Sequence, residues 1–389
     1  MRGGRGSGPA ALLTVALLTT ACGGTALPSS SIVDPPTAST AVPSVPGGPG
    51  RASVDLGPPG TLIAVTERST ENEPLDLEVD AVSVTGARRR LATLTDYFVP
   101  LGDAWTQAEH PVFAISDGGY LAVPLSGPDP NGDGSSGKPG IAVYDLGRPD
   151  APPVVMDGRL GGFVADDGLI VERDRSVTVL YPGVARAVPL ALPPDFDLLR
   201  SGEDLLRVSS NGRSLVAAHY GNDGQAEYGL LEPGVGFHPT GSTAPPLQSI
   251  TGDDRPTGAQ GESLAQFCSD GPVTSFCGTQ VSRADGSSWA VQVEGDVLDS
   301  TWTVDGEQLF VLGSMSAMYL AEPAGAKQVV KFASGENPHF VGLTRSTAIV
   351  TLDTDGGTRT VAVPLDGSPT TDLGDGTIIR VVAPEAEAG

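Results

Sequence analysis

Trp302-Thr303-Val304-Asp305-Gly306-Glu307-Gln308-Leu309-Phe310-Val311-Leu312 sets two short apolar runs on either side of an Asp-Gly pair. Glycine takes a positive φ at little cost and aspartate hydrogen-bonds its own backbone, so the pair predicts a tight turn between two paired strands. The chain repeats the pattern. Phe113 to Val123 carries it around Asp117-Gly118, Val208 to Ala217 around Asn211-Gly212, and Phe163 to Val171 in weaker form around Asp167-Gly168. In Phe340 to Val350, Ser346 holds the matching place and the glycine is lost.

From turn to turn the spacing is about 40–50 residues, the period of four-stranded propeller blades. The step from Asn211 to Asp305 is about two such periods, which predicts a further blade with a degenerate turn near 245–298. The chain therefore reads as all-β: a β-propeller of seven four-stranded antiparallel blades, or six if 62–100 or 245–298 is an added element. No repeat turn follows the strand candidate Thr377 to Val382, which is expected to complete the first blade and close the ring. A pair of β-sandwiches accounts poorly for so regular a recurrence.

Composition agrees. With 52 Gly and 34 Pro and only 18% charged residues, the chain is rich in turns rather than helices. A net charge of −24 repels phosphate backbones, which argues against nucleic acid as a partner and describes a solvated acidic surface.

At the N-terminus, Arg2 and Arg5 precede a short apolar core, Ala10 to Thr20, too short to span a membrane as a mature helix. Residues 1–21 read as a secretion signal. Leu18-Thr19-Thr20-Ala21-Cys22 resembles the lipobox of bacterial lipoproteins, with Thr19 where an aliphatic residue is commoner. That resemblance implies cleavage before Cys22 and lipidation of its sulfur. Positions 22–57 then form a tether rich in Pro, Ser, Thr and Gly, with too little apolar surface to offset its ordering entropy. The propeller is expected over 58–385 and a short tail over 386–389.

The repeat also carries a family resemblance. Trp302-x-x-Asp305-Gly306-x-x-Leu309-Phe310 resembles the blade repeat of TolB-like propellers, in which an aromatic-Ser-Pro-Asp-Gly turn precedes an aliphatic strand. The proline of that turn is missing from every copy here. The resemblance implies the fold over roughly 60–385; with the lipobox and a residue usage of Ala, Gly, Pro and Arg over Lys, it points to propeller lipoproteins of the actinobacterial type.

Cys268 and Cys277 flank a turn-rich segment between two β-rich runs, and in an exported chain they are expected to pair as a disulfide. Asp129-x-Asn131-x-Asp133-Gly134 matches the first half of a calcium loop, but Gly140 stands where the bidentate carboxylate is expected at the twelfth position. The same residues make an ordinary strand connection. No other cofactor is implied. The four histidines show no His-x-x-x-His spacing, and no Gly-x-Ser-x-Gly elbow is present.

Counting back from each turn places Glu109 and His110, Asp204, Asp299, and Glu336 and His339 where the innermost strands begin, at the mouth of the central channel. Converging acids there would focus a negative potential and favour a cationic partner; the alternative is a set of ordinary solvated loop-end carboxylates. The sequence thus describes a monomeric, exported propeller held by a lipid anchor on the extracytoplasmic face of the cell membrane. There it would bind an envelope protein or a cationic ligand. The rival is a hydrolase or lyase acting on an extracellular polymer through the same carboxylates and histidines.

Overall fold

The structure is a computed structural model. It describes residues 54–382 except 69–74, 99, 102–104, 108–111, 128–136, 174–175, 182–185, 191, 193–194, 202–204, 209–212, 222–225, 234, 243–262, 271–274, 284–285, 295–296, 304–307, 314–316 and 355–356. The expected signal, Cys22 and most of the expected tether therefore lie outside the described residues, as does the expected tail.

Blade 1 begins with β1 (Leu62–Arg68), β2 (Asp76–Val82) and β3 (Arg88–Leu94). Blade 2 has an inner strand in two pieces, β4 (Thr106–Gln107) and β5 (Ala114–Ile115), then β6 (Tyr120–Ser126), β7 (Pro139–Asp145) and β8 (Val154–Asp157). Blade 3 runs β9 (Arg159–Val164), β10 (Gly168–Arg173), β11 (Ser176–Tyr181) and β12 (Arg186–Leu190). Blade 4 starts with β13 (Phe196–Leu198), makes a small hairpin of β14 (Arg200–Ser201) and β15 (Leu205–Leu206), and continues with β16 (Leu215–Tyr220), β17 (Ala226–Glu232) and β18 (Gly236–Ser242).

Blade 5 shows three strands among the described residues, β19 (Ser263–Asp270), β20 (Ser275–Ser282) and β21 (Ser288–Glu294). Blade 6 is β22 (Val297–Trp302), β23 (Leu309–Gly313), β24 (Ala317–Glu322) and β25 (Gly325–Lys331). Blade 7 is β26 (Asn337–Leu343), β27 (Thr347–Thr354), β28 (Gly357–Pro364) and β29 (Thr371–Gly374). Finally β30 (Thr377–Val381) pairs antiparallel with β1 and becomes the innermost strand of blade 1. The ring has seven blades, and the chain's last strand closes it.

The apolar run after each turn is the second strand of a blade, buried on both faces. In β1, Ile63 and Val65 pack with Leu121 and Val123 of blade 2, while Leu62 and Ala64 pack with Val341 and Ile349 of blade 7. Successive side chains point to opposite faces, so a strand sandwiched between two neighbouring blades needs apolar residues at every position rather than at alternate ones. Leu169-Ile170-Val171, Leu215-Val216-Ala217 and Leu309-Phe310-Val311-Leu312 answer the same demand and are all buried. The hydrophobic core is accordingly a circle of interfaces between blades.

The innermost turns also link the blades. Gly118 N donates to Asp167 Oδ1 at 2.6 Å, joining the turn of blade 2 to that of blade 3. Arg380 on β30 donates to the Ile115 carbonyl at 3.0 Å and to the Asp117 carboxylate, joining blade 1 to blade 2. Asp166 and Asp167 both hold positive φ, 60° and 63°, the conformation expected of a two-residue hairpin turn.

A Cβ on Gly118 would stand 2.1 Å from Asp167 Oδ2. Gly118→Ala is therefore expected to expel that carboxylate and lower stability by about 1–2 kcal/mol in denaturant unfolding. Asp167→Ala should cost a similar amount and the double variant little more than either, because both remove one interaction; full additivity would mean that the link contributes nothing.

Cys268 and Cys277 are directly opposed across β19 and β20 and are joined by a disulfide.

Candidate functional site: the mouth of the channel

Strands alternate in direction within each blade. The turns between first and second strands therefore lie on one face of the ring, and the links between blades emerge on the other, at the mouth.

The innermost strands of blades 2 and 4 do not run straight through. Gln107 pairs with Leu125 and Ala114 with Ala122, so the register against β6 differs between the two pieces. In blade 4, Leu198 pairs with Ala217 and Val208 with Leu215, and the hairpin of β14 and β15 is inserted between them. Arg207 N donates to the Leu199 carbonyl at 2.8 Å and closes the base of this hairpin. Arg200 holds it against blade 3, donating to both carboxylate oxygens of Glu172 at 2.8 and 2.6 Å. Leu206 is buried beside Gly161, where a Cβ would come within 3.2 Å of its Cδ1.

Glu109, His110 and Asp204 lie outside the described residues, as do Asp129, Asn131 and Asp133. Asp299 lies in β22 opposite Leu312, and its side chain is outside the described set. Among the described residues no group of three or more His, Cys, Asp or Glu side chains gathers as metal ligands.

Glu336 and His339 are described in full. Glu336 accepts from Ala333 N at 2.7 Å and pairs with Arg359 at 2.5 Å, and these two interactions hold its carboxyl below the usual range. It closes the turn between β25 and β26. His339 on β26 lies 2.9 Å through Nε2 from Asp353 Oδ2, and Thr358 Oγ1 donates to the other carboxylate oxygen at 2.7 Å. Both partners face water, His339 with 62% of its side chain exposed and Asp353 with 48%. Elsewhere on this face Glu172 meets Arg200, and Asp375 meets Arg68 at 3.7 Å. Each of these four acids, Glu336, Asp353, Glu172 and Asp375, thus has a basic partner.

An apolar side chain also stands open near the mouth. The pairing of β22 with β23 shifts between Val297 and Asp299, and Leu298 at that bulge is 48% exposed. Bulges redirect a side chain in this way without ending the strand.

Because the Glu336 carboxyl is held low, its contribution to stability is present above the unfolded glutamate pKa of about 4.3 and is lost as pH falls through its lower folded value. Glu336→Gln is therefore expected to lower the melting temperature at neutral pH, with the gap to wild type closing below about pH 4. A gap that persists at acid pH would show a packing loss instead.

No protein-family model matches the chain, and no curated protein matches it in sequence. Solved structures do. The β-propeller domain of the trilobed protease from Pyrococcus furiosus is similar over 82% of this chain and 96% of its own, at 9% identity and a TM-score of 0.43. Oligopeptidase B from Leishmania major is similar over 82% of this chain and 48% of its own, at 10% identity and a TM-score of 0.45. A putative TolB from Agrobacterium tumefaciens is similar over 84% of this chain and 94% of its own, at 12% identity and a TM-score of 0.35. These likenesses concern the fold alone.

Proposed function

We propose that the protein is an exported, lipid-anchored β-propeller that binds a protein or peptide partner at the cell envelope through the mouth of its channel. The observation that carries this reading is the state of the mouth. Its described acids Glu172, Glu336, Asp353 and Asp375 are ion-paired, while Leu298 remains uncovered. Surfaces that bind other chains combine exposed apolar anchors with a polar rim, whereas catalytic carboxylates need burial to tune their protonation. The lipobox-like Ala21-Cys22 supports the anchor, the Pro-rich stretch before the propeller supports a tether, and the Cys268–Cys277 disulfide suits an oxidising compartment. Glu109, Asp204 and Asp299 would add negative charge to the same mouth and favour a partner with basic residues.

Crosslinking of the full lipidated chain in its native membranes tests the reading. Leu298→Asp, and separately Glu109, Asp204 and Asp299 neutralised together, are expected to reduce capture of the partner by about tenfold or more. Unchanged capture in both would overturn the mouth as the binding surface. The second reading, a hydrolase or lyase acting on an extracellular polymer, rests on the His339–Asp353 pair. It predicts turnover of an envelope polymer that His339→Gln abolishes.

A further inference from the structure

On the face opposite the mouth, blades 6 and 7 leave a cleft of about 400 Å³ lined by Thr303, Gln308, Arg345, Ser346, Leu365 and Asp366, among others. Arg345 sits at the tip of the tight turn between β26 and β27, where Thr344 N donates to the Thr347 carbonyl at 2.8 Å. Leu365 N donates to the Ser346 carbonyl at 2.9 Å and ties that turn to the next one in the same blade.

Arg345 differs from the other arginines. Every other arginine whose side chain is described hydrogen-bonds, pairs with an acid or lies over a ring, whereas Arg345 is exposed and does none of these. In a chain with 47 acidic and 23 basic residues, a guanidinium left without an acid among the described residues, beside a cleft, is an available carboxylate site. The neighbouring acid does not fill it. Asp366 accepts from Ser368 N at 2.8 Å, and the Lys327 ammonium stands 3.4 Å from the Asp366 carbonyl.

The end of the last strand lies close by. Gly60 N donates to the carbonyl of Val382, the last described residue, at 2.8 Å. Gly60 in turn stands against Thr344, the residue before Arg345: a Cβ on Gly60 would lie 3.8 Å from the Thr344 Cβ. The next residues are Ala383-Pro384-Glu385-Ala386-Glu387-Ala388-Gly389. Proline keeps the residue before it extended, and Glu385 is three residues, roughly 10 Å, beyond Val382.

We propose that the Arg345 cleft is a carboxylate-binding site whose occupant is the chain's own acidic segment, through Glu385 or Glu387. Docked there, the segment ties down the strand that closes the ring. The site is separate from the mouth, and the binding reading stands or falls without it.

The test titrates the full chain with a labelled synthetic peptide, Ala-Pro-Glu-Ala-Glu-Ala-Gly, at low salt. A segment tethered beside its site competes at high effective concentration, so wild type is expected to bind the peptide weakly and the Glu385→Gln/Glu387→Gln variant roughly fivefold or more tightly. Arg345→Gln placed in that variant should abolish the gain, Arg345→Lys should keep part of it, and about 0.5 M NaCl should remove it by screening. Equal binding by wild type and the double glutamine variant would mean an open cleft that takes acidic segments in trans, and would overturn the occupant. Binding that survives Arg345→Gln would overturn the site itself.

Discussion

A chain truncated after Asp375 is expected to lose its cooperative unfolding transition. The truncation removes β30, and with it the buried side chains of Ile378 and Val381 and the pairing that runs from Leu62 to Val65. Burial of the two side chains is worth about 1.5–3 kcal/mol each. The lost ladder bonds add about 1 kcal/mol apiece, before any cost of exposing the inner edge of β1. The sum is comparable to the whole stability of a typical protein, about 5–15 kcal/mol. The expected product keeps β-rich circular dichroism, binds a hydrophobic dye and unfolds without a sharp midpoint. Arg380→Ala is the matched control: it breaks the bonds to Ile115 and Asp117 but keeps the strand, and should cost only about 1 kcal/mol. A truncated chain that melts as sharply as wild type would mean that six blades and a remnant are self-sufficient.

The second large effect is expected at Phe310. Its side chain is fully buried between blades 6 and 7, with its ring 4.9 Å from that of Phe340 and among Leu312, Met318, Leu343 and Val350. Phe310→Ala leaves a cavity that two stacked sheets cannot close, and should cost about 3–5 kcal/mol. The melting temperature is expected to fall by on the order of 10 °C. Val235, 65% exposed, offers the comparison, and Val235→Ala should change stability by less than about 0.5 kcal/mol. Similar losses at the two positions would contradict the interface between blades 6 and 7.

The architecture was legible because its two strongest determinants are local. Turn chemistry marks the first hairpin of blades 2, 3, 4 and 6, and burial on both faces writes an unbroken apolar run directly after it. The closing role of Thr377 to Val382 and the pairing of Cys268 with Cys277 followed from position in the repeat and from the expectation of export. The mouth was harder to read. Nothing in Leu205-Leu206 separates the start of a strand from a hairpin inserted into one, because the difference lies in which partner residues stay paired across the sheet. The bulge that exposes Leu298 is likewise a matter of register. Arg345 did leave a mark: where the turns at Asp117, Asp167, Asn211 and Asp305 carry acids or amides, this copy carries Arg-Ser. The lost glycine was visible in the sequence, but the reversed charge went unread.

The pairing of β1 with β30 also sets an order of events in time. Thr66 and Asp375, which meet at this closure, are 309 positions apart. Ribosomal synthesis delivers the first sheet early and its missing strand last, so blade 1 waits with an open edge while every other blade is made. Contacts between such distant residues form slowly, since the intervening chain must be ordered before they reward it. For a protein proposed to be threaded across a membrane, the late strand acts as a timer: the ring cannot shut until β30 has come through.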